Sequence, residues 1–338
     1  MRRIATAVVT AGIAVASTFS TPLTPAAHAA DNGAWSVYPT SNPKPGETFR
    51  PFFLVDLRAG ATTQDSVTVT NKTDKPATFN LYVADAFNTA EGGFALKPRN
   101  EPKTDMATWV NLPVAGFTLD PQHKVDIPFS IVVPANATPG DHTAGIVAEN
   151  TTPTAAPANN GAVGVDVMNA VGVRIYGRVP GTLNPSLSIT KVSLKPANSV
   201  GSMVGAPEKV TLQYTVVNTG NTRLTATATA KVHPVFGPSK TLGARKLPEL
   251  LPKGSATVKE TVTGVLPLGR LSADITADAP GARAKASAAA WAVPWLLLLA
   301  AIGLGVLWYL RRRKGHTRPP EPVGGSTPNA PVLTGSRS

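Results

Sequence analysis

The chain has 338 residues, contains no cysteine and carries a formal net charge of +12. Without cysteine, disulfides, thiolate metal sites and a cysteine nucleophile are all excluded. Much of the positive charge lies in Arg2, Arg3 and the segment after residue 310, and the remainder shows no basic cluster interleaved with aromatic residues. The composition therefore does not indicate a nucleic-acid partner, while the length is sufficient for two domains.

The N-terminus has the parts of an export signal. Arg2 and Arg3 precede an apolar run, and Ala27-His28-Ala29 places small residues at the −3 and −1 positions of a signal peptidase site. We therefore predict a signal peptide over residues 1–29. An uncleaved anchor helix is the alternative, but Thr and Ser interrupt its short apolar run.

Two stretches of the chain share one pattern. They read "SVTVTNKTDKPATFNLYV" (66–83) and "LQYTVVNTGNTRLTATATAKV" (212–232). In each, apolar and polar residues alternate, a turn rich in Asn, Gly, Asp or Pro follows, and the alternation resumes. Period two with one apolar face is typical of half-buried antiparallel strands, so the pattern predicts a β-hairpin in each place.

The similarity continues beyond these stretches. Each is followed by Leu-x-Pro, an alternating strand, a glycine and a last alternating strand. The repetition predicts two tandem Ig-like β-sandwich domains, over 34–181 and 186–279. The distance from the turn of the pattern to the following Leu-x-Pro is longer in the first domain. This predicts an insertion at 86–109, where loops would carry function.

A membrane anchor is predicted near the C-terminus. After a linker at 280–290, residues 291–310 contain no charge and match the length of a transmembrane helix. Its interfacial aromatic residues and the basic residues that follow form the predicted anchor: Trp291, Trp295, Trp308, Tyr309, Arg311, Arg312, Arg313 and Lys314. The positive charges place the disordered tail, 311–338, in the cytoplasm and the rest outside a cell membrane crossed once.

The sequence shows no motif of an enzyme. P-loop, dinucleotide-binding, HExxH and nucleophile-elbow patterns are missing. His123 and His142 lie in turns of the first domain and could lie near each other with Asp120, Asp126 or Asp141, as a metal would require. Polar turn residues more often serve solvation, so we predict no catalytic residue, no metal and no cofactor.

Three segments of the first domain carry a family resemblance. "PGETFRPFFLVDLRAGATTQDSVTVTNKTDKPATFNLYVADAF", "TWVNL" and "FTLDPQHKVDIPFSIVVPANATPGDHTAGIVAE" resemble the N-terminal, peptidoglycan-binding domain of the WxL-interacting protein family of Gram-positive cell surfaces. The resemblance covers about residues 34–181. It implies a surface protein, not an enzyme, that contacts peptidoglycan or another wall polymer and engages a second surface protein, WxL-type partners included.

Candidate binding residues follow from the aromatic side chains of the first domain. Tyr82, Phe87, Phe94 and Trp109 are the candidates for contact with a sugar polymer, with a packed core position as the alternative for Trp109. The sequence predicts a membrane-anchored cell-surface binding or scaffold protein. The alternative is an export-side, chaperone-like assembly protein that pairs a strand edge with a client surface protein.

Overall fold

The computed structural model describes residues 30–40, 50–152, 154–155, 166–197, 199–266 and 268–314. The predicted signal peptide and the tail beyond residue 314 lie outside these residues. The chain divides into two compact units. The first comprises residues 1–87 and 95–183, and the second comprises residues 88–94 and 184–338.

The first unit is a β-sandwich. One sheet has the order β1-β2-β4-β9-β7, and the other has the order β3-β13-β10-β5-β6, with β8 also pairing with β5. The strands are β1 (Ala30–Asp31), β2 (Trp35–Pro39), β3 (Phe53–Asp56), β4 (Thr62–Asn71), β5 (Ala77–Asn88), β6 (Phe94–Leu96), β7 (Val110–Asn111), β8 (Gly116–Leu119), β9 (Lys124–Val132), β10 (Gly140–Asn150), β11 (Thr154–Ala155), β12 (Asp166–Val167) and β13 (Ala170–Val179). A 3₁₀ helix covers Met106–Thr108.

The apolar face of each sheet supplies the core of the first unit. Alternate residues are buried in the second half of β4 and in β5 as far as Val83, as period-two strands require. Two aromatic pairs bridge the sheets: the ring centroids of Trp35 and Phe79 lie 5.5 Å apart, and those of Phe53 and Phe129 lie 5.1 Å apart. Such tilted and edge-on contacts suit the quadrupole of aromatic rings.

The second unit is a smaller sandwich. Its sheets have the orders β14-β15-β18 and β17-β16-β19-β20. The elements are β14 (Leu187–Pro196), α1 (Val200–Met203), β15 (Glu208–Asn218), β16 (Leu224–Pro234), β17 (Lys240–Leu250), β18 (Ser255–Val265), β19 (Gly269–Ala279), β20 (Ala282–Ala292) and α2 (Trp295–Lys314). Its core includes Leu212, Tyr214, Leu271 and Ile275, all buried.

Six strands of each unit share one pattern of pairing. In the first unit β4 pairs with β2 and β9, and β10 pairs with β5 and β13. In the second, β15 pairs with β14 and β18, and β19 pairs with β16 and β20. The predicted fold class, all-β with two tandem Ig-like sandwiches and one C-terminal helix, is confirmed.

The predicted hairpins are wrong. β4 and β5 lie in different sheets, and so do β15 and β16. The connection between them is a corner that crosses from one sheet to the other. A buried asparagine closes each corner, Asn71 in the first unit and Asn218 in the second, and both are 0% exposed.

The corner asparagines make equivalent hydrogen bonds. Asn71 Nδ2 donates to the carbonyl oxygens of Lys75 and Leu119, at 2.8 and 3.2 Å. Asn218 Nδ2 donates to those of Thr222 and Leu250, at 2.7 and 3.0 Å. Leu119 and Leu250 begin the two Leu-x-Pro sequences, so this shared motif supplies the acceptors that hold the corner.

The C-terminal part differs from the prediction. The segment expected as a linker is β20, the edge strand that pairs with β19 along its whole length. The helix begins at Trp295, not Trp291, because Pro294 precedes it and its carbonyl oxygen accepts from Leu298 N at 3.0 Å. By length and composition α2 could cross a membrane, and its residues from Trp295 to Arg313 are all exposed.

Candidate functional site

A half-buried ion pair organises one end of the first sandwich. His142 lies on β10, and its Nδ1 is 2.7 Å from Asp105 Oδ1, while its Nε2 is 2.9 Å from the carbonyl oxygen of Thr138. A carboxylate and a carbonyl oxygen both accept, so a protonated His142 ring can donate from both nitrogens at once. The ring centroid of Trp109 lies 4.6 Å from that of His142.

The environment favours the charged form of His142. Burial alone lowers the pKa of the imidazole. The hydrogen bonds to Asp105 and Thr138, together with the negative charges of Asp105 and Asp141, outweigh this effect and raise the pKa above its ordinary value. The His142–Asp105 pair therefore joins β10 to the segment before the 3₁₀ helix.

Asp85 holds that segment in place. It is a buried carboxylate on β5 that accepts from the backbone N–H of Thr104, Asp105 and Ala107, at 2.5, 3.2 and 2.9 Å. Thr104 Oγ1 adds a bond of 3.1 Å. The second half of the predicted insertion is thus tied to the sandwich. Asp85 was missed in the sequence, although a charged residue on the apolar face of a strand is a signal that could have identified it.

A second ion pair lies beside the first. Arg178 on β13 donates from Nε and Nη2 to the two carboxylate oxygens of Asp141, at 2.7 and 2.9 Å. The carboxylate of Asp141 is buried and the guanidinium of Arg178 is about half exposed. This bidentate hydrogen bond raises the pKa of Arg178. It also joins β10 to β13, because Asp141 and Arg178 lie directly opposite each other on these paired strands.

The proposed proximity of His123 and His142 is wrong. His123 precedes β9. Trp109, whose ring contacts that of His142, accepts at its backbone carbonyl from Val132 N at the far end of that strand. Nine residues of strand span about 30 Å. Within the described residues no group of three or more His, Cys, Asp or Glu side chains could hold a metal ion.

The four predicted binding residues do not share one face. Tyr82 and Phe87 are separated by five positions on β5 and so point to opposite sides of that strand. Trp109 is half-buried against the core and His142. Phe94 is half-buried and belongs to the residues that cluster with the second unit.

The first part of the predicted insertion, residues 88–94, also makes hydrogen bonds. Within the second unit, Asn88 Nδ2 donates to the carbonyl oxygen of Glu249 and Asn88 Oδ1 accepts from Leu251 N, at 2.8 and 2.9 Å. Ala90 O accepts from Thr257 N of β18 at 2.8 Å. Residues 88–94 therefore cover part of the β18 edge and do not form an open loop.

Two sheet edges are protected against strand pairing. The outer side of β9 is covered at its end by β7, which is two residues long, and by the hydrogen bond from Val132 N to Trp109 O. Pro128 lies four residues before Val132, so it faces the same side and offers no N–H there. β17 has two register irregularities against β16 and carries Lys240, Arg245 and Lys246. Bulges, lysine and proline are the usual devices that prevent edge-to-edge association.

The edge at β3 differs from these. β3 is the last strand of its sheet and pairs with β13 in parallel. Leu57 N donates to Arg178 O, so the backbone groups of Leu54 and Asp56 point away from β13. The side chain of Leu54 is 67% exposed. An apolar side chain and outward backbone groups thus coincide on this edge.

The basic and aromatic residues at the end of α2 contact one another. The guanidinium carbon of Arg312 lies 5.2 Å from the ring centroid of Trp308, and that of Arg313 lies 5.5 Å from the ring of Tyr309. These are cation–π distances. Trp291, predicted as part of the helix, lies on β20.

Comparison with known proteins gives structural similarity only. No family model and no curated protein matches the chain. It is similar to the class 5 fimbriae chaperone CfaA, with 12% identity, coverage of 72% of this chain and 91% of that chain, and a TM-score of 0.32. It is also similar to the YadV chaperone, with 10% identity, coverage of 76% of this chain and 100% of that chain, and a TM-score of 0.32. For the CupB2 chaperone of Pseudomonas aeruginosa the identity is 11%, the coverage is 71% of this chain and 96% of that chain, and the TM-score is 0.30. Matches at this level say nothing about function.

Proposed function

We propose that this protein is a membrane-tethered binding protein, which holds a protein partner through the edge of its first sandwich. The observation that carries the tether is α2, a 20-residue helix with exposed apolar side chains, which only two residues separate from the end of β20. Such a surface is unfavourable in water and is matched by the hydrocarbon of a bilayer.

The orientation follows from charge. Arg311, Arg312, Arg313 and Lys314 form the end of α2, and the opposite end continues into the second sandwich. The positive-inside rule then places both sandwiches outside the cell membrane and the C-terminal tail in the cytoplasm.

The tether is tested by fractionation of cells that express the full chain. We expect the chain to stay in the membrane pellet after an alkaline carbonate wash and to be released by detergent. A chain ending at Ala292, which keeps every strand of the second unit, should be released without detergent. Release of the full chain by carbonate alone would contradict the tether.

The partner-binding site is assigned to the outer edge of β3. An extended segment of a partner could accept and donate hydrogen bonds at Leu54 and Asp56 and cover the exposed Leu54 side chain, which would add a strand to the sheet. Unlike β9 and β17, β3 contains no proline or lysine and its register with β13 is regular, so this edge lacks the usual protection against strand pairing.

A photo-crosslinking amino acid tests this assignment in cells. We expect a defined protein adduct when it replaces Leu54 and no such adduct when it replaces Val132, an exposed side chain whose backbone N–H is already bonded to Trp109 O. Leu54→Asp should lower recovery of the same partner by at least tenfold, while Val132→Asp should not. Equal adducts at both positions would rule out a site at β3.

Contact with a wall polymer is a second proposal, supported by the family resemblance of residues 34–181. Among the four aromatic candidates, Phe87 is exposed. The test is sedimentation of the detergent-purified chain with purified cell-wall sacculi at low salt. We expect Phe87→Ala to lower the bound fraction, and a chain that stays in the supernatant would refute the wall contact.

A further inference from the structure

The second unit has an apolar end. Its exposed large hydrophobic side chains outside α2, within the described residues, are Val200, Met203, Val204, Val235, Phe236 and Trp291. The most exposed are Val200 and Trp291, each at 73%, and Phe236 is 57% exposed. Such residues scattered singly need no explanation, but a cluster marks an interaction surface.

Strand register places these residues at one end of the sandwich. Pro234, just before Val235 and Phe236, pairs with Leu271, and Arg270 pairs with Trp291. On the other sheet, Glu208 at the start of β15 pairs with Val265 at the end of β18. The connection containing α1, the 235–239 loop, the β18–β19 connection and the end of β20 therefore meet at the same end.

Side-chain proximity joins these segments to α2. A Cβ atom added to Gly205, just after α1, would lie 3.1 Å from Leu297 Cδ1 in the first turn of α2 and 3.4 Å from Leu268 Cδ2. One added to Gly237 would lie 3.6 Å from Leu266 Cδ1. The two leucines of the β18–β19 connection thus link the two apolar loops.

The start of α2 fixes how far this end can be from a bilayer. Val293 and Pro294 alone separate β20 from α2, and three backbone steps span at most about 11 Å. A surface so close to the first turn of a membrane-spanning helix lies at the interface between headgroups and acyl chains.

We propose that this apolar end is a lipid-docking surface, in which Phe236, Val235, Val204 and Trp291 insert into the outer interface of the membrane that α2 crosses. The proposal rests on the proposed membrane tether. Aromatic and aliphatic side chains with basic neighbours are typical of interfacial binding. Arg270, opposite Trp291, and Lys240, which begins β17, supply cations near this surface for lipid phosphates.

The absence of cysteine gives a direct test in the full chain. Single-cysteine variants are labelled with an environment-sensitive fluorophore and reconstituted into vesicles of phosphatidylcholine and phosphatidylglycerol, with or without lipids that carry a quencher at a shallow acyl position. Phe236→Cys probes the surface, and Val235→Cys repeats the measurement if the first variant fails to fold. Thr225→Cys, an exposed position at the opposite end of the sandwich, is the matched control, and Leu304→Cys probes α2.

We expect lipid quenching at position 236 to be at least threefold greater than at position 225, with strong quenching at position 304. Quenching at 304 with equal, weak quenching at 236 and 225 would overturn the docking surface while the tether stands. No quenching at 304 would instead refute the tether. Self-quenching between labelled copies at position 236, without quenching by lipid, would assign this end to a second copy of the chain and also overturn the proposal.

Discussion

At the scale of single residues, the His142–Asp105 pair predicts a pH dependence of stability. The folded-state pKa of His142 is raised above its unfolded value near 6.5. Stabilisation from the pair is therefore complete below about pH 6.5 and is lost as pH rises through the raised pKa. We therefore expect the urea midpoint of the first unit to fall as the pH rises through the raised pKa of His142. Fluorescence of the full chain in detergent measures it.

Substitution of the carboxylate separates this effect from other titrations. Asp105→Asn should lower the free energy of unfolding by about 1 kcal/mol below pH 6.5, because the half-exposed carboxylate is screened by solvent, and should flatten the pH profile. His123→Gln, at an exposed histidine, is the control and should leave the profile intact. An unchanged profile in Asp105→Asn would contradict the assignment.

Tyr214 predicts a stabilising substitution. It is fully buried in the second core, and its hydroxyl oxygen has no hydrogen-bond partner among the described residues. Burial raises the pKa of its phenol to about 12. Because a buried hydroxyl without a partner costs about 1–3 kcal/mol, Tyr214→Phe should raise the free energy of unfolding by about 1 kcal/mol. Tyr214→Leu, which removes ring volume, should lower it, and chemical denaturation measures both.

At the scale of elements, the corner asparagines are predicted to act each within its own unit. Asn218→Ala should lower the free energy of unfolding of the second unit by about 2–3 kcal/mol, because two buried carbonyl groups lose their donor. Asn71→Ala should do the same in the first unit. Hydrogen exchange of the full chain can assign the loss to each unit, and an effect spread evenly over both units would argue against local action.

A truncation pair tests the role of β20. The sequence placed the end of the second domain at residue 279, but β20 contributes buried Ala284 and Ala292 and eleven paired residues. A chain ending at Ala279 should misfold and be degraded, whereas one ending at Ala292 should accumulate as a folded protein. Protease resistance of the two products, measured side by side, decides between them.

The differences between sequence and structure at this scale have physical causes. Alternation with period two specifies strands and their buried faces, and this is why β4, β5, β15 and β16 were correctly located. It does not specify whether consecutive strands pair or cross between sheets, which depends on the hydrogen bonds of Asn71 and Asn218. β20 was missed because its buried positions are alanines, which give little contrast in hydropathy.

The candidate sites were less predictable than the fold. Trp109 and Phe94 are aromatic residues in a segment that the sequence marks as an insertion. Its second part is held by Asp85, about 20 residues away along the chain, and Asn88 in its first part bonds to Glu249 and Leu251, which are far away in the sequence. Long-range contacts of this kind leave no local pattern. His142 was noticed, but its partner Asp105 was not, since neither spacing nor composition connects them.

At the scale of the whole molecule, the cysteine-free chain permits a clean test of topology. We expect a membrane-impermeant maleimide to label Ser287→Cys, exposed on β20, in intact cells. Ser326→Cys, in the tail outside the described residues, should be labelled only after the membrane is permeabilised. Labelling of Ser326→Cys in intact cells would reverse the proposed orientation.

The buried corner at Asn71 also constrains how the protein can be produced. Asn71-Lys72-Thr73 is an acceptor sequence for N-linked glycosylation, whereas Asn218-Thr219-Gly220 is not. A eukaryotic secretory pathway that adds the sugar before folding would convert the Asn71 amide into a bulky conjugate that cannot enter a fully buried site. Secretion from such cells would leave the first sandwich unfolded and the second one intact, so bacterial export is the suitable route for preparing the protein.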